Sequence, residues 1–289
     1  MNPTLTRIAP TPSGFLHLGN AYSFLLTKAL AEKTGAKILL RIDDLDQERY
    51  RPEFVEDIFE SLDFLEIPIE KGPKNRKELE EEWSQKFRMD SYESALEQLR
   101  EKGVLFGCNC SRKKISQMNS SGYYLGHCLG RNLSLDKPEM TWRINSLESD
   151  LVNIIQYPDK KVWEVIPQDS SFFIVRKRDG LPSFQLTSVI DDLRFGVDLI
   201  VRGQDLYGSS LAQSFLAETL GLPDYQKIQY FHHPILKGPK KKKLSKSDGS
   251  TSLQFLRKEG KSLNDVYQLI GDFLGKHIEK FEDFQQLIP

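Results

Sequence analysis

Apolar and polar positions follow two periods along this chain. Leu5-Thr-Arg-Ile-Ala9 is a short strand-like run, and Pro10, Pro12 and Gly14 break it. Apolar residues then fall at Ala21, Phe24, Leu25, Leu30 and Ala31, roughly one face of a helix, with Asn20 as its expected cap. Ala36–Asp43 reads as a buried parallel strand with polar residues at its C-terminal end. Phe54, Val55, Ile58, Phe59, Leu62 and Leu65 predict an amphipathic helix. Residues 66–82, with Pro68, Gly72 and Pro73, read as a surface loop, and Phe87–Gly103 as a further helix. Strand, helix, strand, helix, loop, helix is half of a nucleotide-binding sheet.

From residue 104 to about 170 the pattern shifts to short strands. Met140–Ile144 and Lys161–Ile166 are expected strands, with a polar, irregular stretch between them. Trp142 and Trp163 are able to stack on bases, but core packing is the expectation for both. Phe172–Arg176 leads through an Asp-Gly turn to Gln185–Asp192, helical or extended. Residues 198–203 form the next strand, and Leu211–Leu220 a helix stopped by Gly221. The last forty or so residues read as short amphipathic helices.

Composition changes little in this picture. The chain has 289 residues, 39% hydrophobic and 28% charged, which is ordinary globular composition. Its 40 basic and 41 acidic side chains leave a net charge of -1, so nucleic acid is neither implied nor excluded by charge. No run is apolar enough to predict a membrane span, and the N-terminus carries no basic-then-apolar signal. A cytoplasmic location is expected. Three cysteines lie between positions 108 and 128. That clustering suits an intracellular metal site better than a disulfide framework.

Several stretches carry candidate chemistry. Strand, rigid turn and helix N-terminus over residues 5–20 offer unpaired amides to an anion, yet the stretch has neither GxxxxGK nor GxGxxG. Asp43, Asp44 and Asp46 collect at a strand end beside Arg41, Arg49 and Arg51. They read either as local ion pairs or as a carboxylate placed for a ligand ammonium. Arg202, at another strand end, either forks onto a substrate carboxylate or pairs with Asp191 or Asp205. Cys108, Cys110 and Cys128 offer soft sulfur to zinc, and chemistry alone makes His127 the fourth ligand, although its adjacency to Cys128 is awkward. The lysines at 237 and 240–243 run without an acid into Lys-Leu-Ser-Lys-Ser at 243–247. Gly238, Pro239 and Gly249 suit a mobile loop there, whose lysines can meet charge on a triphosphate.

Pro-Thr-Pro-Ser-Gly-Phe-Leu-His17-Leu-Gly19 resembles the HIGH signature of class I aminoacyl-tRNA synthetases, and Lys243–Ser247 resembles their KMSKS signature. Arg7-Ile-Ala-Pro-Thr-Pro-Ser-Gly and Arg41-Ile-Asp-Asp-Leu-Asp resemble the glutamyl branch. Cys-x-Cys followed by Tyr-x-x-x-Cys is similar to the zinc site of glutamyl-queuosine tRNA(Asp) synthetases. That likeness implies Cys108, Cys110, Tyr124 and Cys128 as ligands, with the tyrosine hydroxyl in place of His127. It implies an α/β fold, a class I synthetase Rossmann-like parallel sheet with a small zinc-binding insert. The expected division is 1–103 and 171–235 for the two halves of the catalytic domain, 104–170 for the insert, and 236–289 for the KMSKS-like loop and C-terminal helices.

The resemblance also implies roles. His17, Lys243 and Lys246 are the expected catalytic groups. Pro10, Thr11, His17, Gly19, Asn20 and Lys246 would hold ATP with Mg²⁺. Arg7, Ala9, Thr11, Asp43, Phe184 and Arg202 would hold L-glutamate. Two positions depart from the family pattern: Asp43 stands where glutamate is usual, and Phe184 where tyrosine is usual. The chain ends about forty residues past the KMSKS-like loop, where ordinary glutamyl-tRNA synthetases continue into an anticodon-binding region. The implied activity is formation of glutamyl-adenylate by a monomer and transfer of glutamate to queuosine in the anticodon stem-loop of tRNA(Asp). The rivals are a compact ligase with another acceptor and a non-catalytic RNA-binding paralogue.

Overall fold

The computed structural model describes residues 2–119, 121–147, 151–236 and 252–289. Strand β1 (Leu5–Ile8) is buried throughout and feeds α1 (Leu18–Thr34) through the Pro-Ser-Gly turn. β2 (Lys37–Leu40) follows, then α2 (Pro52–Phe64), which starts on a proline whose missing N–H costs nothing in a first turn. Residues 66–82 are not wholly loop. They contain a short helical turn, α3 (Arg76–Glu78), capped by Asn75, and a π turn at Leu79–Trp83. Asn75 Oδ1 accepts from the Glu78 amide at 2.9 Å, a local capping bond that apolar periodicity cannot register. Next come α4 (Met89–Glu101), β3 (Leu105–Cys108), α5 (Arg112–Met118), β4 (Thr141–Ile144), β5 (Val152–Gln156), β6 (Lys160–Glu164) and β7 (Ile174–Arg176). The chain closes with α6 (Phe184–Phe195), β8 (Leu199–Gly203), α7 (Tyr207–Thr219), β9 (Gln229–His233), α8 (Leu253–Lys258) and α9 (Leu263–Leu274).

Two compact units result. The first comprises Met1–Phe87, Val197–Asp205 and Tyr230–Pro289. Its strands lie in the order β2-β1-β8-β9, with β1 parallel to both β2 and β8. Ile38, Leu39, Leu40, Leu199 and Ile200 are almost completely buried, as strands covered on both faces require. Helix α1 lays Leu25, Leu26, Ala29 and Leu30 into that core. In parallel sheets of this kind, ligands bind beyond the C-terminal strand ends.

The second unit comprises Arg88–Gly196 and Leu206–Gln229. It holds a three-stranded antiparallel sheet, β3-β4-β7, and the β5–β6 hairpin. The stretch expected to be irregular between β4 and β6 therefore contains a strand. Val152 and Ile154 turn their side chains into the core while Asn153 and Ile155 face the other way, a five-residue alternation too short to stand out. Trp142 is buried as expected, with its Nε1 donating to Leu135 O at 2.9 Å. Trp163 is not: it lies 58% exposed on the edge strand β6. Among the described residues no helix is long and apolar enough to cross a membrane.

Candidate active site and metal centre

The turn after β1 ends in a reciprocal cap. His17, not Asn20, is the N-cap of α1. Asn20 N donates to His17 Nδ1 at 3.2 Å, and His17 N donates to Asn20 Oδ1 at 3.0 Å. Asn20 thus closes the box from the third helical position, the place of glutamate in the usual capping box. Because Nδ1 accepts, the neutral ring carries its proton on Nε2, as a donor at a helix N-terminus. Gly19 is required by the same ring: a Cβ there would fall 2.9 Å from His17 Cε1. A second anchor holds the turn from behind. Leu16 N donates to Asp57 Oδ2 at 3.1 Å, and Asp57 Oδ1 takes Arg257 Nη2 of α8 at 2.6 Å. Leu253 N also donates to Leu16 O at 2.8 Å, and Ser252 bridges His17. Chain on the far side of the Lys243–Ser247 signature therefore returns to the histidine turn. Lys243 and Lys246 themselves lie outside the described residues.

The ends of β1 and β2 converge. Arg41 N donates to Ile8 O at 2.9 Å and Asp43 N to Pro10 O at 3.0 Å, so Pro10 and Asp43 are neighbours. Arg7 is buried in β1 opposite Leu39, and Thr11 is half-buried in the turn. Ala9, the residue after β1, is half-buried too. Of the two readings of the acidic cluster, the local ion pairs are present. Arg41 forks onto Asp43, Nε to Oδ1 at 2.8 Å and Nη2 to Oδ2 at 3.1 Å, with both side chains buried. Arg49 pairs with Asp46. Asp44 turns inward, accepting from Ser84 Oγ at 2.6 Å and from Gln85 N at 2.8 Å.

Arg202 leaves the same end of the sheet on β8 and is 4% exposed. Its guanidinium stands 4.9 Å from the Tyr230 ring on β9, and Tyr230 stacks on His232 at 5.7 Å. Burial, then the nearby Arg202 and His233, push the His232 imidazole down to about 3, so it is neutral at physiological pH. Burial also lowers His233, against its hydrogen bond to Pro234 O and the pull of Asp205. His233 meets the Tyr22 ring edge-on at 4.8 Å. Sequence reasoning missed Tyr22, Tyr230, His232 and His233. The one available signal was the Gln-Tyr-Phe-His-His run ending in proline.

In the second unit Phe184 opens α6 and is 43% exposed. The helix is held by Asp191, fully buried, which accepts from Arg88 Nε at 2.7 Å, from Arg88 Nη2 at 3.1 Å and from Tyr92 Oη at 2.7 Å. Asp191 therefore pairs with Arg88.

The three cysteines converge in the same unit. Cys108 ends β3, Cys110 follows in the next turn, and Cys128 returns after α5. All three are buried and unbridged, with sulfurs within 4.8 Å of one another and Cys110 and Cys128 at 3.6 Å. Tetrahedral zinc with 2.3 Å bonds sets sulfurs about 3.8 Å apart, so the cluster fits such an ion. Tyr124 Oη accepts from Cys128 N at 2.9 Å, and the Arg143 guanidinium lies 3.9 Å from its ring. Burial raises the Tyr124 hydroxyl, and its hydrogen bonds with the Cys108 and Cys128 sulfurs raise it further. Burial opposes ionisation of Cys128 too, but hydrogen bonds from Tyr124, Cys110, the Asn109 amide and Cys108 bring its thiol down to about 7. Arg131 Nη1 lies 3.8 Å from the Cys128 sulfur. His127 is exposed and outside the cluster. Gly126 lets the loop turn at φ +79°, where a Cβ would strike Phe172 at 2.6 Å. Phe106, Ile115 and Phe172 pack around the sulfurs.

Comparison with known proteins agrees with this architecture. The family described as tRNA synthetases class I (E and Q), catalytic domain, matches residues 4–284. The chain is 34% identical over 280 residues to a glutamyl-Q tRNA(Asp) synthetase of Nocardia farcinica, covering 93% of this chain and 84% of that one. It is 31% identical over 268 residues to a glutamate–tRNA ligase of Coprothermobacter proteolyticus, covering 88% of this chain but 55% of that one. The chain thus spans about half the length of that ligase. The crystal structure of a glutamate-tRNA synthetase from Elizabethkingia anophelis shares the fold, with a TM-score of 0.66 and 23% identity over 86% of this chain and 53% of that one. By sheet, signature and match alike, the chain belongs to the class I (E and Q) tRNA synthetase catalytic-domain family, as a glutamate–tRNA-ligase-like, ATP-dependent ligase of the aminoacyl-tRNA synthetase type.

Proposed function

We propose that this protein activates glutamate with ATP and transfers it to the queuosine base of tRNA(Asp). The reading rests on one observation above the others. Cys108, Cys110 and Cys128 converge with the Tyr124 hydroxyl among them, the set expected of the glutamyl-queuosine branch. The 84% coverage of the Nocardia glutamyl-Q tRNA(Asp) synthetase supports it.

In this reading a glutamate carboxylate oxygen attacks the α-phosphorus of ATP, pyrophosphate leaves, and glutamyl-adenylate forms. No general base is needed, because the carboxylate is already ionised. His17, with Nδ1 occupied by its cap, donates from Nε2 to a phosphate oxygen as charge builds there. Lys243 and Lys246 of the signature, with Mg²⁺, serve the departing phosphates. Pro10, Thr11, Gly19 and Asn20 shape the nucleotide side of the turn. Arg202 forks onto the substrate side-chain carboxylate. Asp43 faces the ammonium while sharing its charge with Arg41, and Arg7, Ala9 and Thr11 complete the pocket; the resemblance gives Phe184 a part in holding the same glutamate. Zinc, bound by the three cysteines and Tyr124, would supply a rigid crosslink in the second unit and no redox or Lewis-acid chemistry at the phosphates.

The test has two parts. ATP–pyrophosphate exchange is measured with each amino acid and no tRNA, and glutamate should stimulate it most. Radiolabelled glutamate is then offered to a queuosine-bearing anticodon stem-loop of tRNA(Asp) that lacks any acceptor end. Labelling should require the modified base. Charging of intact tRNA(Glu) with no label on that stem-loop would replace the proposal with an ordinary glutamate–tRNA ligase activity.

A further inference from the structure

The β5–β6 hairpin of the second unit has two unlike faces. Asn153 pairs with Trp163, Ile155 with Lys161 and Val152 with Glu164. Directly opposed residues of an antiparallel pair share a face. Val152 and Ile154 belong to the inner face and are 1% and 2% exposed. Asn153, Lys161 and Trp163 share the outer face, and Val165, next in the alternation, continues it. Trp163 is 58% exposed and Val165 65%. A large aromatic left this open on an edge strand is not contributing to a core.

Beside Trp163 lies a hollow of about 310 Å³, bounded by Asn153, Leu222, Pro223, Gln226 and Glu218. Leu222 and Pro223 give it an apolar lining beside the indole. Gln226 is satisfied, since its Oε1 accepts from Ser214 Oγ at 2.8 Å and its Nε2 donates to Ser214 O at 2.9 Å. Asn153 Oδ1 is not. It is shielded from solvent and has no hydrogen-bond partner among the described residues. A buried amide oxygen without a donor carries an uncompensated desolvation cost, which a ligand N–H would offset. Lys161 stands exposed on the same face.

We infer that this hollow receives one unpaired nucleobase of the acceptor RNA, an inference that rests on the activity proposed above. The base stacks on Trp163, the Asn153 amide turns to accept an N–H from its edge, and a flanking phosphate meets Lys161. A flat π-face, an unsatisfied amide and an adjacent cation form the combination that single-stranded RNA offers partners to.

The test follows intrinsic tryptophan fluorescence and anisotropy while the intact protein is titrated with a fluorescein-labelled anticodon stem-loop of tRNA(Asp) and with unstructured oligouridylate. Trp163→Ala should weaken binding of the stem-loop about 5- to 100-fold, the range that stacking on an aromatic side chain produces. Trp163→Phe should retain most of the affinity, and Asn153→Ala should weaken binding while leaving its salt dependence alone. Lys161→Ala should lower the slope of log affinity against log salt by about 0.7. An unchanged melting temperature in Trp163→Ala confirms that folding is intact. Unaltered affinity in both Trp163→Ala and Asn153→Ala would overturn the inference. So would loss of self-association in Trp163→Ala with RNA affinity unchanged, since the face would then be a protein interface. Glutamate-dependent exchange by the unaltered protein is read separately, so its failure removes the proposed activity and not the RNA site.

Discussion

Gly19 and His17 are coupled through a distance: a methyl at residue 19 would fall 2.9 Å from the ring. Gly19→Ala should therefore turn the imidazole out of its cap. Alanine gains about 1 kcal/mol of helix propensity over glycine, and the lost cap costs about as much. We expect the melting temperature to stay nearly constant while glutamate-dependent exchange falls at least about tenfold, the scale set by one lost phosphate donor. A fall in stability matching the fall in rate would mean the ring is only structural. Phe184 allows a second prediction at this scale. Phe184→Tyr restores the hydroxyl usual in the resembled family, and if the pocket binds glutamate its KM should drop about two- to tenfold, one hydrogen bond's contribution. A rise in KM would show a pocket shaped for a different amino acid.

Asp57 links elements far apart in sequence. One carboxylate oxygen holds the Leu16 amide in the histidine turn and the other holds Arg257 of α8, just beyond the Lys243–Ser247 signature. Asp57→Ala should cost about 1.5–3 kcal/mol in urea unfolding, the contribution of hydrogen bonds to a charged group. It should also reduce exchange with ATP more than it changes the KM for glutamate, since the histidine turn and α8 lose their common anchor. Equal effects on both substrates would count against that link. In the second unit Asp191 ties α6 to Arg88 and Tyr92 with every partner buried. Asp191→Ala strands the Arg88 charge, and the expected loss is about 3–5 kcal/mol, near the upper end for single substitutions. Denaturant midpoints of the two variants rank these anchors directly.

Over the whole molecule, the two units should respond differently to metal removal. The cysteine cluster sits in the packed centre of the second unit's small sheet, with Phe106, Ile115 and Phe172 around it. Chelation should speed hydrogen exchange in β3 and β4 and leave β1 and β2 unchanged, because metal-binding free energy is local folding free energy. Equal exchange with and without chelator would mean that no metal is held. The sequence by itself determined the parallel frame. Buried strand runs at 5–9 and 36–43, amphipathic stripes at 54–65 and 87–103, and the two signatures are all local patterns whose periodicity survives without neighbours. It also carried the three sulfurs, since their spacing is a property of the chain. The tertiary structure alone decided which groups meet. Asp43 is forked by Arg41, Asp191 belongs to Arg88, and His17 takes the cap expected of Asn20. Each depends on side-chain direction and not on composition. Trp163 gives the sharpest case. Its strand was legible, but whether an indole on that strand is covered depends on what packs across it, and the register with β5 places it on the open face beside Asn153.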